Sequence, residues 1–283
     1  MSALCDLHMH STASDGALAP ADVVARARAA GLAAIALTDH DSVGGVAEAQ
    51  AAGERLGVRV VAGCEFAAAP PWDPHGELHL LGYFLPIDDP RLDAFLAVQR
   101  AERGRRVRAM VARLAACGVR ISEDAILDEA KGGSVGRPHV ARALVKSGGA
   151  RHVQDAFDRF IGRGRPAFVS KALPAVCEVT ALVHALDGVV SVAHLKGEGT
   201  SVTAALLAAD GVDALETRHP SHDGEARARL TDLALAHGLA RTGGSDWHGD
   251  DGHPTHGGLG SQQVPLEWLE RLEQRRAAAG ATG

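Results

Sequence analysis

Tyrosine occurs once in these 283 residues and tryptophan three times. Aromatic side chains make up only 4% of the chain, so Ala, Val and Leu must fill its core. Cysteine is nearly as sparse. Cys5, Cys64, Cys117 and Cys177 are widely scattered with no Cys-x-x-Cys pair, which favours reduced, buried thiols over disulfides. No run of about eighteen uninterrupted apolar residues could cross a bilayer, and no basic stretch leading into an apolar one resembles a secretory signal. A cytoplasmic protein with no membrane partner is expected. Positive charge is not in excess either. A formal net charge of -6 argues against long-duplex nucleic acid as a partner, while a local basic pocket remains free to grip one phosphate.

What the chain does have is histidine: fifteen of them. Metal binding is the commonest use of that side chain in such numbers. Around the histidines the chain alternates short apolar runs with helical ones. Strands are expected over 3–7, 33–37, 58–62, 77–85, 189–193, 213–216 and 239–242, with helices after Pro20, up to about Leu56, over 174–186 and over 221–237. Between 90 and 166 the pattern changes: Arg and Ala dominate and apolar residues recur at helical spacing. The fold expected from this pattern is α/β with seven strands, residues 1–89 and 167–283, interrupted by a helical insertion at 90–166. Repeated strand-helix units imply parallel strands and right-handed crossovers.

The polar residues fall in one place. His8, His10, Asp39, His40, Glu65, His194, Glu216, Asp246 and His248 all lie at or just past the C-terminal end of an expected strand. That rim is where parallel barrels and open α/β sheets build their sites. His8 and His10 are two apart on a strand, so both side chains point to one face and could share a cation. Taken singly, Asp39 could cap a helix, Glu65 a loop, and His79 could be an ordinary strand histidine. Taken together they need charge compensation, because buried ionised groups at a strand end cost several kcal/mol unless paired or metal-bound.

Five stretches then make the sequence recognisable: Asp6-Leu7-His8-Met9-His10-Ser11, Ser14-Asp15-Gly16, Leu37-Thr38-Asp39-His40-Asp41, Gly63-Cys64-Glu65 and Gly244-Ser245-Asp246-Trp247-His248. In this order they resemble the motifs of the polymerase-and-histidinol-phosphatase (PHP) family. The resemblance implies a distorted (β/α)7 barrel with two or three divalent metal ions, manganese first, with iron, zinc or magnesium as alternatives. Position by position, it puts one ion on His8, His10, Glu65 and Asp246. A second shares Glu65 and adds His79 and His194, and a third takes Asp15, His40 and His248. His75 is a rival to His79. Where many relatives have His-Pro, this chain has His194-Leu195-Lys196, which leaves the ligand in place but alters the adjoining loop.

A phosphate held by metals still needs cationic donors for its other oxygens. Arg137, Lys171, Arg218 and His222 are the substrate-binding candidates, and His219 or His222 the candidate to protonate a leaving alcohol. Gly136-Arg137-Pro138-His139 and the stretch 168–174 are similar to the branch containing 3′,5′-nucleoside bisphosphate phosphatases and exonucleases of short RNA. That likeness implies removal of the 3′-phosphate from a molecule such as adenosine 3′,5′-bisphosphate, by a hydroxide bridging the metals. A small nucleotide or short oligonucleotide is the implied partner. Two alternatives stand beside it: histidinol phosphate phosphatase, with the same metal site, and a non-catalytic PHP module.

Overall fold

The strands line up in a ring in chain order. A computed structural model describes residues 3–73, 76–249 and 257–280. Its strands are β1 (Leu4–Asp6), β2 (Ala34–Leu37), β3 (Arg59–Ala68), β4 (Leu78–Tyr83), β5 (Val189–Val192), β6 (Ala214–Arg218) and β7 (Ala240–Gly243), each hydrogen-bonded to the next. The ring closes where the chain runs on past β1 and β7. Leu7 N donates to Gly243 O at 3.1 Å, Asp246 N to His8 O at 2.9 Å, and His10 N to Trp247 O at 2.9 Å. A short β8 (Val264–Pro265) pairs antiparallel with the start of β1.

The expectation of uniformly parallel strands does not hold. β4 runs antiparallel to both β3 and β5. Only the nine residues 69–77 separate β3 from β4, and a parallel return needs a crossover of about a dozen or more. β3 is also longer than expected, which places Glu65 inside the strand instead of at its end.

β2 and β5 read Ala-Ile-Ala-Leu and Val-Val-Ser-Val and are buried throughout, as befits strands covered on both faces. The covering helices begin with α1 (Pro20–Ala29) and α2 (Val46–Leu56), which pack Val23, Val24, Ala49 and Ala52 against Ile35 and Leu37. Pro20 opens α1, where its missing N–H costs nothing.

Next in the chain come α3 (Pro90–Ala116), α4 (Glu123–Ala130), α5 (Arg137–Lys146) and α6 (Val153–Ala156), the last running into a π-helical turn at Phe157–Ile161. Asp89 caps α3 by accepting from Arg91 N at 2.8 Å. These helices build a hydrophobic cluster of their own from Val107, Met110, Leu114, Ile126, Val140, Leu144 and Ile161. Each such fully buried aliphatic side chain stabilises by about 1.5–3 kcal/mol.

The chain then adds α7 (Val176–Ala185), α8 (Ser201–Ala209), α9 (Gly224–Ala236) and α10 (Leu266–Gly280). α10 sets Trp268, Leu269 and Leu272 among Cys5, Val61, Tyr83 and Val189 of the barrel. Among the described residues no helix is long and apolar enough to cross a membrane. All four cysteines are free, Cys5 and Cys64 buried, but Cys117 and Cys177 exposed, contrary to the expectation of burial.

Candidate metal centre

Two loops and five strand ends converge on Glu65, whose side chain is 1% exposed. Oε2 of this carboxylate lies 3.2 Å from His8 Nε2, 3.1 Å from His10 Nε2 and 3.2 Å from His40 Nδ1. Oε1 lies 2.7 Å from His79 Nδ1 and 3.2 Å from His194 Nε2. Asp246 Oδ1 faces the same pair from the other side, 3.3 Å from His8 Nε2 and 3.2 Å from His10 Nε2. Beyond His10, Asp15 approaches His248 Nε2 at 3.3 Å and His40 Nε2 at 3.8 Å. All nine ligand candidates read from the sequence therefore meet. His75 lies outside the described residues.

The local backbone explains how residues so far apart in sequence reach one another. Gly244 passes so close to β1 that an added Cβ would lie 2.3 Å from His8 Cβ. Only glycine permits that contact, which sets Asp246 opposite His8. Asp41, His194 and Asp246 hold positive φ angles of 47°, 27° and 52°. Non-glycine residues adopt this conformation at a cost of order 1–3 kcal/mol, and such strain clusters at functional sites.

The donors fit metal ions. In each of three groups, His8/His10/Glu65/Asp246, His10/Asp15/His40/His248 and His40/Glu65/His79, the potential ligand atoms lie within 4.8 Å of one another. Ligands at about 2.0–2.1 Å from one ion sit about 3.0–3.4 Å apart, which is the spacing of the close contacts here. His10 Nε2 and His40 Nδ1 are buried and, among the described residues, have no hydrogen-bond partner, although each lies close to Glu65. That is how lone pairs look when aimed at a common point and not at a donor.

Electrostatics point the same way. Burial opposes charge on Glu65, yet the imidazoles of His40, His79 and His8 hold its carboxyl well below the usual range. Burial also opposes protonation of His10 and His79, but Asp246 and Glu65 pull His10 up to about 10, and Glu65 lifts His79 to about 9. Burial drives His40 down to about 3. The centre demands cations, and metal ions can supply them while leaving the imidazoles neutral.

Several supporting groups carried no assigned role in the sequence reading. Glu216 accepts from His8 Nδ1 at 3.1 Å and from His194 N at 2.8 Å, fixing the tautomer of one donor and the backbone of another. Its position at the end of the strand expected over 213–216 was the available signal. Asp39 holds the loop after β1, accepting from Ser11 N, Ser11 Oγ and Ser14 Oγ at 2.6–2.8 Å. Asp6 ties β1 to Ser245 N and Gly260 N at 2.9 and 3.0 Å.

Beside the centre lies a cleft of about 260 Å³ lined by Gly76, Glu77, Arg137, Arg163, Phe168, Ser170, Lys171 and Leu173. Glu77 links the two, 3.8 Å from His79 Nε2 and 3.7 Å from Arg137 Nη2. Arg106, which no sequence signal singled out, is buried with Nη2 lacking a hydrogen-bond partner among the described residues, 3.8 Å from Glu77. Lys171 lines the cleft, but its ammonium is 3.2 Å from Asp41. Arg218 is not gathered here. Its guanidinium stacks on Trp268 at 4.9 Å and donates to the Gln262 and Gln263 carbonyls.

The two acid candidates sit against the centre. His219 Nδ1 accepts from Ser221 N at 3.0 Å, leaving Nε2–H to face Asp246 Oδ2 at 3.4 Å. His222 Nε2 accepts from Lys196 N at 3.2 Å, so its proton sits on Nδ1, and burial lowers it to about 4.

Fold and site define a class: hydrolytic, metal-dependent phosphoesterases. Comparison with known proteins agrees. The PHP domain matches residues 6–162. The 5′-3′ exoribonuclease of Haemophilus influenzae is 33% identical over 248 residues, covering 86% of this chain and 89% of that one. The 3′,5′-nucleoside bisphosphate phosphatase of Chromobacterium violaceum is 33% identical over 249 residues, covering 86% of each. A solved structure from Bifidobacterium adolescentis, regarded as a metal-dependent phosphoesterase, superposes with a TM-score of 0.87 at 32% identity over 96% of both chains. The chain belongs to the PHP family.

Proposed function

We propose that this enzyme removes the 3′-phosphate from nucleoside 3′,5′-bisphosphates such as adenosine 3′,5′-bisphosphate, leaving the 5′-monophosphate. The observation that carries the reading is the pairing of two anion-seeking regions. A centre of nine clustered donors suits one phosphate, and a cleft walled by Arg137 and Arg163 opens beside it for another. A substrate with two phosphates one nucleoside apart suits that pairing better than histidinol phosphate, which has one. Hydrolysis of short oligoribonucleotides in the 5′-to-3′ direction is the second reading, supported by the equally similar exoribonuclease relative.

In this reading His8, His10, Glu65 and Asp246 hold one divalent ion, Glu65, His79 and His194 a second, and Asp15, His40 and His248 a third. Manganese is the expected ion, with iron, zinc and magnesium as alternatives suited to the same mixed nitrogen and oxygen donors. When bound, the ions lower the pKa of water and neutralise the phosphoryl oxygens. Arg137, 28% exposed and flanked by Phe157 and Phe168, grips the remaining phosphate. His219 presents its Nε2 proton toward the leaving oxygen, and His222, neutral at pH 7, donates a hydrogen bond from Nδ1. Residues 90–166 act as an insertion over the rim of a barrel made by 1–89 and 167–283. Four free thiols, two of them buried and two exposed, suit a reducing compartment, and so the cytoplasm.

The test is phosphate release with manganese present. Adenosine 3′,5′-bisphosphate should be preferred at least about a hundredfold in kcat/KM over histidinol phosphate, a difference of roughly 3 kcal/mol in transition-state binding. A hundredfold preference in the other direction would overturn the assignment. A 5′-phosphorylated dinucleotide cleaved faster than the bisphosphate would favour the second reading.

A further inference from the structure

Asp41 immediately follows His40, yet its carboxylate turns away from the metal centre. Oδ2 accepts from Arg103 Nε at 2.6 Å and lies 3.2 Å from Lys171 Nζ. The Asp41 and Lys171 side chains are fully buried and that of Arg103 is 8% exposed. Arg103 belongs to α3, and Lys171 to the segment by which the chain returns to the barrel. One carboxylate therefore receives both ends of the helical excursion. Arg103 Nη1 also reaches Val135 O at 3.5 Å, in the loop that opens into α5 at Arg137. On the other side, Asp41 N donates to Glu65 O at 3.0 Å, and Glu65 N donates to Asp39 O at 3.2 Å.

Burying three charged groups is expensive, and apolar packing would stabilise the fold as well or better. A buried cluster of this kind makes most sense where it fixes a geometry. The geometry at stake is that of His40, whose backbone leads straight into Asp41 at a φ of 47°. A second set of contacts acts on the same group of donors. Ser134 N donates to Ala13 O at 2.9 Å, His139 Nε2 lies 3.1 Å from Ser14 O, and Arg142 Nη1 donates to Asp15 O at 3.3 Å. The helical segment thus touches the two loops that present His40 and Asp15, both members of the group completed by His10 and His248.

We propose that Asp41 is a positioning residue: by clasping Arg103 and Lys171 it seats the helical segment on the His40 loop, and this seating sets the affinity of the cation held by His10, Asp15, His40 and His248. The inference rests on the reading of the centre as a metal site. It extends that reading by making one of the ions dependent on a part of the chain that supplies none of its ligands.

The experiment uses the full-length enzyme and three variants, Arg103→Met, Lys171→Met and Asp41→Asn. Each single methionine leaves Asp41 with one cation, so these two should fold even if Asp41→Asn does not. Manganese bound at equilibrium is measured by dialysis and elemental analysis, with circular dichroism and thermal melts as the check on folding. Arg103→Met should weaken one manganese site about 10–100-fold, the range seen when groups supporting metal ligands are removed, while the tighter sites remain. Raising manganese should restore kcat to within about threefold of wild type, a rescue that a merely structural loss would not give. A folded Arg103→Met and a folded Lys171→Met with wild-type stoichiometry and affinity would refute the proposal. A wild-type protein that binds no manganese at all would instead bring down the metal reading beneath it.

Discussion

The barrel and the helical segment divide the protein's charge between them. Residues 90–166 carry 16 of the 29 Lys and Arg but only 8 of the 35 Asp and Glu, leaving 13 basic and 27 acidic residues for everything else. A net charge of -6 conceals this polarity. The barrel concentrates imidazoles and carboxylates that attract divalent cations, and the helical segment brings Arg103, Arg106 and Arg137 to the edge of that centre. The lesson is that total charge says little about a partner when two halves of a chain carry opposite signs.

The sharpest way to break this division is to damage the barrel side only. Asp246→Asn and His10→Ala each remove one donor shared by the Glu65 group. Turnover should fall at least about a thousandfold, as expected when metal activation of the nucleophile is lost. Both proteins should keep their circular dichroism and melt cooperatively, and elemental analysis should find less bound metal. Loss of no more than tenfold in turnover would mean that the centre is not where the chemistry happens.

Damage to the helical side should look different. Arg137→Ala leaves every donor of the centre intact and removes a guanidinium that faces the cleft beside Glu77. KM for the bisphosphate should rise about tenfold or more with kcat within about threefold, the pattern of lost binding shared by ground and transition states. Metal content should not move. If both kinetic constants stay at wild-type values, the role of phosphate clamp is wrong.

How far the sequence could be read follows the same division. The candidate ligands were legible because metal chemistry restricts residue type: His8, Glu65, His194 and Asp246 can be singled out before their contacts are known. The direction of β4 was missed although a signal existed, since nine residues after Ala68 cannot carry a parallel return. α10 escaped notice entirely, despite Trp268, Leu269 and Leu272 at core spacing. The basic residues were hardest. An arginine looks the same in sequence whether it stacks on Trp268, as Arg218 does, enters Asp41, as Arg103 does, or faces a cleft, as Arg137 does. Which of these occurs depends on contacts far away in the chain, and no local pattern encodes it.

The contact between the two halves has a weak point at His139. Nδ1 accepts from Gly136 N at 2.9 Å, which leaves the proton on Nε2 to be donated to Ser14 O at 3.1 Å. Burial, with Arg142 and Arg103 nearby, lowers this imidazole to about 4, against the carboxylate of Asp15. In the unfolded chain it titrates near its ordinary value of about 6.5. Between these values the unfolded chain binds more protons, so the stability that neutral His139 supports is present above about pH 6.5 and is lost as pH falls toward 4. From pH 7 to pH 5 the loss is about 2 kcal/mol. It should act on the seating of α5 before it acts on the strands. Amide hydrogen exchange, corrected for its intrinsic pH dependence, should therefore quicken about tenfold or more in α5 while β2 and β5 stay protected. His139→Gln keeps a side chain able to cap Gly136 but has no proton to gain, and it should flatten that response. An unchanged response in the variant would assign the acid sensitivity to the metal centre.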